Sequence, residues 1–207
     1  MARPRPARSR STVKPGKPDA ISDVPDRPLD PAGDLPTVSI RTPGHHPFVY
    51  KKMVAGPVGP LRPSDGDLVR VLDRDGFPVG FALWNSRSQI ALRLIAHGVD
   101  APDSAFWKER LDSAVDVRRN LLKLDDQTDA YRLIHAEADG LSGLVVDRYA
   151  DVLSAECFSL GMYQRIGPIL DLLRQKTGTT HFRVSVDERI ALAEDFPGRP
   201  VESEGLP

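Results

Sequence analysis

Hydrophobic and polar positions change period several times along the chain, and each change marks an element. Val38-Ser39-Ile40 is a short alternating run, and Gly44-His45-His46 turns into Pro47-Phe48-Val49-Tyr50. Ser64-Asp65-Gly66-Asp67 is a turn ahead of the strand Leu68–Leu72. Asp75-Gly76 is a two-residue hairpin signal, and Phe77–Trp84 is the return strand, with Gly80 expected at a bulge or crossing point. From Ser88 to Ile95 the period is two: Ile90, Leu92 and Leu94 share one face, and Gln89, Ala91 and Arg93 share the other, expected to face outward. Short strands at near-regular spacing predict a small β-barrel over residues 37–101.

The period then lengthens. Behind a candidate N-cap at Asp103 or Ser104, Trp107, Leu111, Ala114, Val115, Leu121 and Leu122 recur at helical spacing, which predicts a linking helix over 105–123. Tyr131, Leu133 and His135 alternate with Arg132 and Ile134. Leu144-Val145-Val146, the polar turn Asp147–Asp151 and the run Val152–Phe158 read as a hairpin. The loop Glu137–Gly143 carries two carboxylates and two glycines between apolar strands. Met162, Ile166, Ile169, Leu170 and Leu173 form a second helical pattern, with Pro168 in a first turn or at a kink and Gly178 as the stop. Phe182, Val184 and Val186 alternate as a further strand, after which polar residues dominate. Residues 102–207 therefore read as strands, helix and strand, and the fold class is α+β.

The first 36 residues break both periods. Eight prolines between Pro4 and Pro36 block helix and remove backbone donors. Few large side chains are present to offset ordering entropy, so a disordered tail is expected, basic in its first half and acidic in its second. Across the 207 residues the net charge is −1, which does not favour a strongly basic nucleic-acid binder but leaves room for a local patch. The one cysteine, Cys157, excludes an internal disulfide and sits in an apolar run as a packing residue. No apolar run has the length of a membrane span and the N-terminus lacks a secretory core, so a cytoplasmic location is expected.

The central stretch resembles the middle domain of the PUA-containing methyltransferases that make 5-methylcytosine in large-subunit ribosomal RNA. The resemblance rests on Tyr131-Arg132-Leu133, His135, Glu137, Asp139-Gly140-Leu141, Gly143-Leu144, Val146-Asp147-Arg148-Tyr149 and Asp151. Ser142 stands where that family usually has proline, and Ala150 where it usually has glycine. A second set is similar to the family's PUA module: Gly44, His46-Pro47-Phe48-Val49-Tyr50, Gly66-Asp67, Asp75-Gly76, Asn85, Ser88-Gln89-Ile90 and Arg93.

The resemblance implies an RNA-recognition module and a middle domain, ahead of a catalytic domain that would bind S-adenosylmethionine. The glycine turn and the nucleophilic cysteine of that domain are not visible here. Gly140-Leu141-Ser142-Gly143 lacks the spacing of a dinucleotide-type turn, and Cys157 does not match the catalytic position. No cofactor is expected to bind this chain, no catalytic residue is assigned, and no metal site is expected. Ribosomal RNA is the implied partner. Its phosphates need arginine and lysine on one face, and the candidates are Lys51, Lys52, Arg87, Gln89 and Arg93, with Phe48, Tyr50 and Trp84 as stacking surfaces. His135, Glu137, Asp139 and Arg148 would face the catalytic domain, and an uncovered face there would favour a homodimer. The other readings are a standalone PUA-type RNA binder and a remnant without activity.

Overall fold

The computed structural model describes residues 26–31, 33–42, 46–196, 201–202 and 206. The basic half of the expected tail, Gly44 and His45 lie outside them. The architecture is α+β: a curled, PUA-like half-barrel sheet followed by a second sheet with helices.

The first sheet holds β1 (Thr37–Ile40), β2 (Phe48–Val49), β3 (Val54–Val58), β4 (Leu68–Leu72), β5 (Pro78–Trp84) and β6 (Leu92–His97) in the order β2-β6-β5-β4-β1-β3. The β4–β5 hairpin closes around Asp73, whose carboxylate accepts from the N–H groups of Asp75 and Phe77 at 2.9 and 2.8 Å. Gly80 sits where a Cβ would meet the Ala96 carbonyl oxygen at 2.1 Å, so only glycine lets β5 and β6 cross there. Alternation sorts the strands onto two buried faces. Val38, Ile40, Val69, Val71, Ala82, Trp84, Leu92 and Leu94 fill the concave side, whereas Leu68, Phe81, Leu83, Ile95 and Ala96 join a larger core shared with the rest of the chain.

That larger core is built on the second sheet, β7 (Ala130–His135), β8 (Leu144–Tyr149), β9 (Val152–Cys157), β10 (His181–Ser185) and β11 (Val201–Glu202), in the order β11-β10-β9-β8-β7. Helix α1 (Ser104–Asp116) enters on the Asp103 cap, whose carboxylate accepts from the Phe106 N–H at 2.9 Å. It buries Trp107, Leu111, Ala114 and Val115. A five-residue π turn over Val117–Leu121 ends it. The expected continuation to Lys123 is thus corrected: the wider turn rotates Leu121 and Leu122 off the apolar stripe, and both are exposed.

After β9 come α2 (Leu160–Tyr163) and α3 (Ile166–Thr177). Pro168 is the third residue of α3, inside the first turn, where its missing N–H costs no helical bond. Gly178 stops the helix at φ 73°. β10 then returns parallel to β9.

Two expectations change. The tail is expected to be disordered as far as Pro36, yet Leu29 is buried in the larger core, the Arg27 side chain bonds Gln164 and Asp67, and the Asp30 carboxylate accepts from the Ser104 N–H. Beyond Asp187, where the pattern was read as fading, a fourth helix α4 (Glu188–Glu194) forms on the Asp187 cap. Its last residue, Glu194, is buried against the first sheet.

A candidate RNA interface at the sheet junction

The Tyr50–Val54 segment bends off β2 through a single 3-10 turn, Lys51–Met53, with both lysines exposed. The Lys51 N–H donates to the Gln89 carbonyl at 2.8 Å, which brings exposed Gln89 beside the lysines. Arg41, which the sequence did not single out, joins them: its guanidinium donates to the Lys52 carbonyl at 2.9 Å. Tyr50 is 44% exposed on the same turn. Among the described residues none of these three cations is paired to a carboxylate, so the edge can meet phosphate without breaking an internal bond. Basic side chains around an exposed aromatic are the groups that single-stranded RNA requires.

The other candidates separate from this edge. Arg87 is exposed but paired with Asp195 and, at 3.7 Å, with Asp65. Arg93 is the main correction. Its strand alternates as expected, but β6 begins only at Leu92, so Gln89 lies in the preceding bends, and the face opposite Leu92 and Leu94 is covered by the second sheet. Arg93 is therefore 7% exposed, not outward-facing. Its guanidinium donates to the Phe158 carbonyl at 3.0 Å and the Glu194 carboxylate at 3.3 Å, and lies 4.9 Å over the Phe48 ring. Glu194 also accepts from Asn85 and Ser88 at 3.1 and 2.7 Å. This buried network joins the family-like residues Asn85, Ser88 and Arg93 to a helix that the sequence pattern did not disclose. Trp84 is buried, which removes it as a stacking surface, and Phe48 is half-buried.

The second-sheet loop divides in the same way. Asp139 forms a bidentate pair with Arg118 at 2.6 and 2.9 Å and accepts from the His135 N–H at 2.6 Å. Arg148 donates to Asp125 at 2.7 Å beside Tyr131. Burial raises the Tyr131 hydroxyl pKa, helped by the bond to Asp125, so that phenol stays protonated. Asp139 and Arg148 are thus ties within the chain. His135 and Glu137 stay at the surface, where Glu137 accepts from Ser142 at 2.9 Å.

These two residues face the first sheet across a cleft of about 380 Å³, lined by Phe48, Ile90, Arg93, Glu137, Phe158 and Ile190, among others. A larger groove of about 800 Å³ lies around Asp112, Asp116, Asp125 and Asp126. Its carboxylates oppose phosphate, and Asp112, Asp116 and Asp125 are engaged with Lys176, with Asn120, and with Arg119 and Tyr131, respectively.

The cysteine is not placed to act as a nucleophile. Cys157 is buried in β9, and desolvation pushes its thiol pKa far up, which keeps it protonated. His46 accepts the Phe48 N–H on Nδ1 at 3.0 Å and packs edge-on against that ring, a structural role. No group of three or more His, Cys, Asp or Glu side chains among the described residues could hold a metal ion. No helix among them is long and apolar enough to cross a membrane.

The Gly140–Gly143 loop is not the glycine turn of a doubly wound cofactor site. Such a site needs a glycine turn that leaves a strand and opens a helix. The loop Gly140–Gly143 leads into strand β8 instead. In the β9–β10 crossover Gly161 is used for packing, since a Cβ there would meet Leu83 at 2.9 Å.

A PUA-like domain model matches residues 40–97. The chain is homologous over about 70% of its length to curated enzymes called Ribosomal RNA large subunit methyltransferase I. The Aeromonas hydrophila protein is 35% identical over 150 residues, covering 72% of this chain and 36% of that protein. The Shewanella denitrificans protein is 37% identical over 154 residues, covering 74% and 34%. The chain thus spans about a third of the length of the curated relatives it matches. Two solved structures share the fold at a TM-score of 0.60. One is of a protein assigned as a SAM-dependent methyltransferase from Streptococcus mutans, at 14% identity, covering 83% of this chain and 43% of that one. The other, assigned as a methyltransferase complexed with SAH, is at 15% identity and covers 83% and 42%.

Proposed function

We propose that this chain is the RNA-recognition and linker portion of a ribosomal RNA large-subunit methyltransferase of the cytosine-C5 class. The homology over about 70% of the chain carries this reading. Methyl transfer from S-adenosylmethionine belongs to a separate catalytic domain. The PUA-like sheet supplies the RNA contacts, and the second sheet holds that module in a fixed pose relative to the catalytic domain. The exposed edge of Arg41, Lys51 and Lys52 carries the phosphate contacts.

The test is binding of the 207-residue chain to fragments of large-subunit ribosomal RNA across a salt series. Affinity should fall linearly on a log–log plot. Replacing Lys51 and Lys52 together with alanine should reduce that slope by about 1.5, at roughly 0.7–0.9 per phosphate contact. Arg87→Ala should leave the slope unchanged, because Arg87 is already paired with Asp195 and Asp65. In the same tubes, labelled S-adenosylmethionine should transfer no methyl group to RNA. Methylation by the chain alone would overturn the assignment, as would absence of RNA binding at low salt.

A further inference from the structure

The cleft between the sheets has one feature that the fold does not explain. The Arg93 guanidinium spends one terminal nitrogen on Phe158 and Glu194, but its Nε–H is buried without any hydrogen-bond partner. A buried donor left unmade costs desolvation free energy with no return, and Arg93 lines the cleft. Arg93 therefore borders a space large enough for a ligand, since small-molecule sites begin near about 300 Å³.

The walls define the ligand further. Phe48, Ile90, Val145, Phe158 and Ile190 make most of the lining apolar. The Arg93 guanidinium is stacked on Phe48, so a cation–aromatic plane forms part of the wall. Glu137 supplies an acceptor in the same lining. A flat, apolar body whose edge carries both an acceptor and a donor matches these groups, and every nucleobase has that character. One end of the cleft adjoins the basic edge: Ile90 directly follows Gln89, whose carbonyl accepts from the Lys51 N–H, whereas Arg132 in the lining is paired with Asp147.

We infer that the cleft takes one unstacked base of single-stranded RNA. The base inserts among Phe48, Ile90, Phe158 and Ile190, its carbonyl edge accepts from the Arg93 guanidinium, and its backbone runs along the Lys51-Lys52 turn. This rests on the RNA-recognition reading and adds a site to it. Arg93 acts here as a buried base-edge donor, a role distinct from the exposed phosphate contact expected of it.

The experiment uses the 207-residue chain and fluorescein-labelled single-stranded oligoribonucleotides from the ribosomal RNA segment that binds tightest, read by anisotropy. An abasic nucleotide is walked through the oligonucleotide. One position should weaken binding at least tenfold while its neighbours change it less than threefold. Ile190→Trp, which fills the cleft from α4, should cause a similar loss and should add nothing to the abasic loss at that position. Val145→Phe fills it from β8 and serves if Ile190→Trp lowers the unfolding midpoint. If RNA binds but no abasic position and neither filled cleft alters affinity more than twofold, the base site is wrong while RNA recognition stands. If no RNA binds even at low salt, both fall.

Discussion

At the scale of single residues, Arg93 and Glu194 show how a periodic pattern can be right about a face and wrong about what lies opposite it. The alternation of Leu92, Arg93 and Leu94 is a real two-faced strand. Solvent is the usual reading of a polar position opposite a core, but here that face meets the second sheet, and the charge is buried beside a carboxylate 101 positions away. Nothing local announces such a partner, since Glu194 lies where the apolar pattern has faded. The pairing has a measurable consequence. Removing one member of a buried ion pair strands the other, at about 3–5 kcal/mol. Glu194→Ala should therefore lower unfolding stability by about that amount in urea titration, because Asn85 and Ser88 lose an acceptor as well. Glu194→Gln keeps an acceptor for those two donors and should cost less. Equal stability of all three proteins would show that the network contributes nothing to the folded state.

At the scale of elements, most of the framework was legible because its signals are local. The Asp103 cap, the Asp75-Gly76 turn, the Gly80 crossing, the Gly178 stop and the central hairpin all appear where the sequence places them. The failures are elements set by tertiary contacts: α4, the docked residues Arg27, Leu29 and Asp30, and the π turn that shortens the linking helix. The turn between β8 and β9 joins both kinds of reading. Ala150 stands where the resembled family usually has glycine, and its φ is +49°, in the left-handed region. A side chain there is disfavoured by about 1–2 kcal/mol, partly offset by the extra entropy glycine loses on folding. Ala150→Gly should therefore stabilise the protein by about 0.5–1 kcal/mol, read as a higher urea midpoint at constant m-value. A lower midpoint would mean that the Ala150 methyl makes packing contacts that outweigh its strain.

At the scale of the whole molecule, the sequence divides at about residue 101, where strands give way to a helix, and that boundary predicts two domains. The packing argues for closer union. Leu68, Phe81, Leu83, Ile95 and Ala96 of the first sheet lie in one core with Trp107, Leu111, Leu144, Met162 and Tyr163. Each such large side chain contributes about 1.5–3 kcal/mol by its burial, so separating the sheets would expose several of them at once. Polar stitches act in the same direction: Arg165 donates to the Gly66 and Gly161 carbonyls at 2.9 and 2.8 Å, tying a turn of the first sheet to α2. Burial, followed by the nearby charge of Arg27, pulls the Arg165 pKa down to about 10, which still leaves it charged at neutral pH. The linker role proposed above, holding the PUA-like sheet in a fixed pose, needs this kind of joint. The two tryptophans report on it separately, because Trp84 lies in the concave core of the first sheet and Trp107 in the shared core. With Trp107→Phe and Trp84→Phe as single-tryptophan variants, fluorescence should give urea transitions that each coincide with loss of far-UV circular dichroism measured on the same variant. A Trp84 signal that persists after the Trp107 signal and part of the dichroism are lost would mean that the PUA-like sheet folds on its own. The shared core would then be a docking surface that forms second, and the cleft proposed to take a base would exist only when the two units are closed.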